Sequence, residues 1–352
     1  METANLVAYI VRRLVFLVFV LIGVTALIFA VTMLLPITTR AYLYVTNFQR
    51  LQGDVIQRIV EQYGLNDPFY LQYGRWLGQI VQGNLGVSVT ASSTVVEAIA
   101  LRWPYTFEIV IFAAPLIIFI GIYLGVQSAI HKDGIIDHSS RIFSIIGWSL
   151  PSFWLGELLL TVFFTGLRVP GMEPQSLSSN LQSWMGDPAN NFIRYTRVDL
   201  FDGLLNLHPD ITLDALVHVI MPVIVIVTID VALLIRVMRS SMLEALNKPY
   251  VTTARAKGLS KKVVIYKHAR RNALIPVATL SGMLVAGLLG GLVITEQVFH
   301  FGGLGQLAAT AALRLDIPTV LGYAMLTAIM FVIANLIVDI LYAYIDPRIR
   351  LD

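Results

Sequence analysis

The chain of 352 residues contains no cysteine, which excludes disulfides, thiolate-bound metals and cysteine nucleophiles. Charge is scarce as well: Asp, Glu, Lys and Arg together make up 13%, against roughly 25% in ordinary globular domains. So few charges cannot cover a water-facing surface, and over much of its length the solvent of this chain must be lipid. No Gly-x-x-x-x-Gly-Lys-Ser/Thr phosphate loop occurs, so a nucleotide site of that kind is not expected on this polypeptide. None of the six histidines pairs with an acid at metal-binding spacing, so neither a metal site nor a catalytic centre is expected. A net charge of +3 with no clustered basic patch of the right kind excludes a nucleic-acid partner.

What the sequence has in quantity is apolar side chains, at 57% and a mean hydropathy of +0.74. A bilayer core of about 30 Å needs roughly 20 apolar residues in a helix. Six segments qualify, at about 14–35, 107–130, 142–167, 215–235, 273–298 and 320–345. The first follows METANLVAYIVRR with no small-residue cleavage site, and reads as a retained transmembrane helix rather than a signal peptide. Orientation follows from Lys and Arg in the flanking loops. Arg12 and Arg13 precede span one, Arg348 and Arg350 follow span six, and the loop after span four carries ten Lys or Arg, from Arg236 to Arg271, against Glu244 alone. An even number of spans puts all three groups on one side, the cytoplasm. The organisation expected is thus residues 1–35 as N-terminus and first span, 36–104 as an extracytoplasmic helical subdomain, and 105–352 as the core with five spans. The core includes an outer loop at 168–213 and a cytoplasmic loop at 239–272.

Within 36–104 the stretch VIQRIVEQYGLNDPFYLQYGRWLGQIVQGNLG has helical apolar spacing broken at Gly64 and at Asp67-Pro68, which predicts two short helices. The cytoplasmic stretch YVTTARAKGLSKK carries Arg255, Lys257, Lys261 and Lys262 and no carboxylate. Pro249 suits a first helical turn, where its missing N–H costs nothing. Gly258 fits the left-handed position just past a helix end, and Arg255 and Lys257 complement the dipole there. Ser260 can cap a second helix running toward span five. A helix of about nine residues is marginal alone in water, so something should hold it. Tyr250, Ala254 and Gly258 recur every four residues and would form one side, aromatic at one end and flat at the other, suited to a groove on a partner protein.

TARAKGLSKKVVIYKHARRNALIPV resembles the cytoplasmic coupling loop of ABC-importer permeases, in the form used by the dipeptide/oligopeptide class. RRLVFLVFVLIGVTALIF, YGLNDPFYLQYGRWLGQIVQGNLGVS, SLPSFWLGELLL, RSSMLEALNKPYVTTARAKGL, GGLVITEQVFHFGGLGQL and NLIVDILYAYIDPRIR are each similar to a block of that family, in the family's order. Departures exist. Thr252-Thr253-Ala254 stands where the general pattern has Glu-Ala-Ala, LLPITTR lacks the usual Gly-Asp, and Gly302 replaces a common proline. The resemblance implies an all-α membrane protein of type I ABC-importer permease fold, with six transmembrane helices and an extracytoplasmic helical insertion after the first. It implies an ATPase-coupling surface at Tyr250, Thr252, Thr253, Ala254, Arg255, Ala256, Lys257, Gly258 and Leu259. It also implies partners: a second homologous permease, two cytoplasmic ATPase subunits holding ATP and Mg, and an extracytoplasmic solute-binding protein. The chain itself would bind no cofactor and would sit in the cell membrane with both termini cytoplasmic. The expected cargo is di- or oligopeptides, or a similar small solute such as oligosaccharides.

Polar residues inside spans are costly and are functional candidates. Glu157 and Asp230 are candidates for a pathway lining, Glu296 for an outer gate, and Asn335 lies one turn from Asp339 on the same face. Asp339 is expected to pair near Arg236 and Arg239, and Glu108 to be solvated or capping. Gly282, Ala286 and Gly290 form a small-residue stripe suited to close helix packing, and Gly121 with Gly125 a second one. An ion- or proton-coupled secondary transporter using Glu157, Asp230 or Asp339 is the alternative, and the lack of an inverted repeat in the hydropathy weighs against it.

Overall fold

The computed structural model describes residues 3–45 and 53–345. The N-terminal apolar run forms α1 (Thr3–Thr32). It leads through the short α2 (Ile37–Ala41) to the two expected helices of the insertion, α3 (Gly53–Gln62) and α4 (Phe69–Val81). The break between them falls where the sequence places it: Gly64 takes φ +58°, which costs a glycine little, and Pro68 starts α4. The insertion is a packed unit. Phe29 of α1 meets the rings of Phe69, Tyr73 and Trp76 at centroid distances of 5.6, 5.7 and 5.0 Å, and the cluster continues onto Met325 near the C-terminus.

A small antiparallel hairpin, β1 (Val87–Ser88) with β2 (Ser93–Thr94), precedes α5 (Val95–Ile130). α5 starts twelve residues before the expected apolar span. Thr94-Val-Val-Glu97 is a capping sequence, and the Thr94 hydroxyl accepts from the Glu97 N–H at 3.2 Å. The third expected span is corrected more strongly. It is a broken pair, α6 (Ile135–Ser149) and α7 (Ser152–Leu159), the latter continuing as a π turn over Leu160–Gly166, with a bend of 97° between the halves. Pro151 disfavours helical backbone at the residue before it, and Leu150 is extended at φ −78°, ψ 127°.

After α8 (Ser179–Gly186) and α9 (Asp199–Leu205) comes α10 (Pro209–Leu246). Its 38 residues span about 57 Å at 1.5 Å per residue. α5 packs along it at close range. A Cβ on Gly121 would stand 2.6 Å from the Leu234 Cβ, and one on Gly125 would stand 2.5 Å from the Met238 Cβ, so this pair of glycines exists for helix packing. The main core lies along this seam, with Ile109, Ala113 and Ile117 enclosed together with Leu234, Met238 and Met242.

The chain then folds as α11 (Pro249–Ala256) and α12 (Lys261–Val263), and passes through a π turn at Val264–Ala269 into α13 (Arg270–Leu289). The fifth expected span ends early, because Gly291 takes φ +123°; α14 (Val293–Val298) and α15 (Leu304–Leu313) follow as separate short helices before α16 (Ile317–Ile345). Five described helices are long and apolar enough to cross a membrane, or six if the bent pair is one span.

Candidate functional site

The basic stretch closes on itself through backbone geometry. Pro249 opens α11, and the helix ends in a Schellman motif: the Gly258 N–H bonds to Arg255 O at 2.9 Å and the Leu259 N–H to Ala254 O at 3.3 Å, with Gly258 at φ +73°. Ser260 occupies the position before α12 without a capping bond from its side chain, so its expected capping role is not realised.

α11 is not free-standing. Val251 and Ala254, one turn apart, are turned inward into the cluster that holds Met242, Ala245, Val264, Ile265 and Ala269. This corrects the side expected from Tyr250, Ala254 and Gly258, because Ala254 is only 5% exposed. The surface actually offered is Tyr250, Thr252, Thr253, Arg255, Ala256, Lys257, Gly258 and Leu259, all exposed. Nothing lies within 4 Å of a Cβ built on Gly258. Beside this knob an open groove of about 360 Å³ runs between Leu246, Arg255, Leu259 and Lys261, floored by Ile130 and Val264. The chemistry on offer is docking: cations and an aromatic edge on a short helix whose flanks continue into α10 and α13.

The floor of this region is tied by an interaction between residues far apart in sequence. Arg239 of α10 donates through Nε and Nη2 to both oxygens of Asp137 at 2.6 and 2.7 Å. The Ser128 hydroxyl and the Asp133 N–H complete the carboxylate at 2.5 and 3.0 Å. Arg236 lies over the Trp148 ring at 5.0 Å. The partner expected for these arginines, Asp339, has its side chain outside the described residues, and Asp137 fills that role for Arg239. Nothing in the sequence pairs positions 137 and 239.

The candidates within spans are dispersed. Glu157 on α7 and Asn335 on α16 are exposed, and Asp230 on α10 is half-buried. Glu296 is fully enclosed rather than facing an opening. Its carboxylate accepts from the Thr106 hydroxyl at 2.7 Å, Gln306 N–H at 3.0 Å and Leu292 N–H at 3.2 Å, so it ties α14 and α15 to α5. In this arrangement Glu296 holds that element in place. Of the small-residue stripe, Ala286 is buried and a Cβ on Gly290 would meet the Thr327 methyl of α16 at 2.9 Å. Gly282 instead lines an apolar cleft of about 390 Å³ between α5, α13 and α16, with Ile122, Val277 and Ala334 among its walls.

The end of α10 remote from the basic loop holds a set of buried and partly buried acids. Glu108, expected to be solvated or capping, is fully buried and accepts from the Leu200 N–H in the first turn of α9 at 3.0 Å, the capping alternative. Asp202 accepts from the Thr196 and Arg197 N–H groups at 2.8 and 2.9 Å. Asp214 takes the Ser178 N–H and hydroxyl at 2.7 and 2.6 Å. Asp316 takes the Ser88 hydroxyl, Thr90 N–H and Thr319 hydroxyl at 2.9, 2.8 and 2.8 Å.

Comparison with known proteins agrees with this architecture. Residues 117–351 match the family model for the binding-protein-dependent transport system inner membrane component, and residues 6–110 match its N-terminal companion. The chain is 36% identical over 348 residues to a dipeptide transport system permease protein of Alkalihalophilus pseudofirmus, covering 98% of this chain and 100% of that one. It is 36% identical over 344 residues to an oligopeptide transport system permease protein of Bacillus subtilis, covering 97% and 99%. A probable D,D-dipeptide transport system permease protein of Escherichia coli is 35% identical over 334 residues, covering 95% and 94%. A multi-pass helical membrane chain with a short, outward-facing basic helix between its long helices, matched over nearly its whole length, belongs to the binding-protein-dependent transport system inner membrane components, the permeases of ABC importers.

Proposed function

We propose that this permease forms half of the translocation pathway of an ATP-driven importer of di- or oligopeptides, together with a second, related permease chain. Two ATPase subunits, holding ATP and Mg, would dock on the basic loop from the cytoplasm, and a solute-binding protein would deliver cargo to the opposite face. Both termini and the basic loop then lie inside, and the insertion between α1 and α5 lies outside. The peptide assignment rests on what the similar permeases are named for.

The observation that carries the reading is the shape of α11. It is a helix of eight residues, locked to its own core by Val251 and Ala254, with its remaining side chains free to meet a partner. Force applied to it passes directly to α10 through Lys248 and to α13 through the 264–269 turn, so movement of the ATPases would tilt both long helices together. The coupling can be no larger than the difference in docking energy between the two states.

Replacing Gly258 by valine tests this. A β-branched residue at φ +73° is strained by about 1–2 kcal/mol, yet no neighbouring atom clashes with it, so folding and insertion should survive. ATP-dependent uptake in reconstituted vesicles should be lost. Undiminished uptake would show that the knob is not the coupling element. Uptake that persists without ATP and collapses with the ion gradient would instead indicate a secondary transporter.

A further inference from the structure

At the end of the molecule opposite the basic loop, a polar cavity of about 450 Å³ is walled by four separate segments. α5 contributes Arg102, the loop before α8 contributes Gln175, the approach to α9 and its first residue contribute Arg194 and Asp199, and the turn after α14 with the first turn of α15 contributes His300 and Gln306. The volume lies within the range of small-ligand sites, about 300–1,000 Å³.

The charges in this cavity do not cancel. Arg194 donates to Asp199 Oδ1 at 3.2 Å, and Asp199 is 2% exposed, so that pair is internally neutral. Arg102 donates only to the carbonyl oxygen of Gly302, at 3.1 Å, and no carboxylate meets it among the described residues. A guanidinium has five N–H donors in a planar fork matched to a carboxylate, so one bond to a carbonyl leaves most of that capacity unused. The absence of a side chain at position 302 keeps the fork accessible. A Cβ there would stand 3.3 Å from Arg102 Nη1 and 3.9 Å from Gln306 Oε1, which also shows that these two side chains converge on one point. An uncompensated cation beside an amide that can both donate and accept matches the end of a peptide: a free α-carboxylate followed by a peptide group.

We propose that this cavity is a reception subsite for the carboxylate end of an incoming peptide, with Arg102 taking the carboxylate and Gln306 the adjoining peptide group. The inference rests on the peptide-importer reading and extends it, because it places part of the cargo recognition on the permease chain itself.

The test uses the complete permease–ATPase complex in nanodiscs without the binding protein, with dialanine and dialaninamide at millimolar concentration as probes in saturation-transfer NMR. The wild-type complex should give stronger transfer to dialanine than to its amide. Arg102→Gln should abolish the difference, and Arg102→Lys should keep most of it. In reconstituted uptake with the binding protein present, Arg102→Gln should raise KM for dialanine about tenfold with little change in kcat, as expected for losing one charge-assisted hydrogen bond. Equal transfer to both probes in the wild type, or an unchanged difference in Arg102→Gln, overturns the subsite. Loss of binding-protein affinity in Arg102→Gln would assign this surface to that partner and overturns it too. These outcomes are separable from failure of the importer reading, which would appear as no ATP-dependent uptake of dialanine by the wild-type assembly.

Discussion

At one end of α10 the cations Arg255, Lys257, Lys261 and Lys262 stand exposed on a short loop, while at the other the carboxylates Glu108, Asp199, Asp202, Glu296 and Asp316 are buried at 0–2% exposure. The two ends solve different problems. An ammonium or guanidinium on a solvated surface asks nothing of the fold, and remains available to a partner. The opposite end is built from long irregular segments whose backbone N–H groups have no ladder to join, and buried donors must be satisfied. An ionised carboxylate accepts several bonds at once, so one acid can pin two or three loop amides. Exposed cations therefore leave one end open to contact, while buried carboxylates tie the loops of the other.

The sharpest way to break that contrast is to remove a pinning acid. Glu296→Ala would orphan three donors, those of Thr106, Leu292 and Gln306. Each buried unmet donor costs about 1–3 kcal/mol, so a loss on the order of 3–5 kcal/mol is expected, read as a lower melting temperature and faster proteolysis near α15. A melting curve identical to wild type would mean that the acid end is not held in this way.

Asp199 gives a smaller, titratable version. Burial pushes its pKa up to about 6, with the Arg194 charge opposing and Asp202 and Asp214 reinforcing the shift. The folded state thus holds the proton more tightly than the unfolded chain does. The resulting stabilisation is fully present below the unfolded value of about 3.9, and is lost as pH rises through about 6. Relative to Asp199→Asn, the wild type should lose on the order of 1–3 kcal/mol between pH 4 and pH 7. Parallel melting profiles of the two proteins across that range would contradict the assignment.

The basic end should behave in the reverse sense. Lys257→Ala removes an exposed side chain with no carboxylate partner among the described residues, so stability should change by less than about 0.5 kcal/mol. ATPase affinity and uptake should nevertheless fall severalfold. A stability loss with normal uptake would make this loop resemble the acid end instead.

Much of this plan was legible in the primary structure. Apolar runs of span length, the Lys and Arg bias, and the turn signals at Gly64, Asp67-Pro68 and Gly258 are local properties, and the turns formed where those signals stand, although the third apolar run folded as a bent pair and the fifth ended early. Two further local signals stand in the sequence: Thr94 with Glu97 as a helix start, and Pro151 as a break within the third span. The inward turn of Ala254 was not readable from spacing. Tyr250, Ala254 and Gly258 do share a side, but Val251 beside them needed a core, and Met242 with Val264 supplied it.

The residue order by itself determined which segments are apolar enough to enter a hydrocarbon layer, which loop carries exposed cations, and where a short helix must stop, since each depends on neighbours within a turn or two. Only the folded arrangement decided that Asp137 meets Arg239 across 102 positions, that Glu296 bonds to Thr106, Leu292 and Gln306, and that Arg102 meets no carboxylate among the described residues. Those outcomes depend on which segments come within about 3 Å of one another, and a low-dielectric interior makes contacts at that range decisive whatever their separation along the chain.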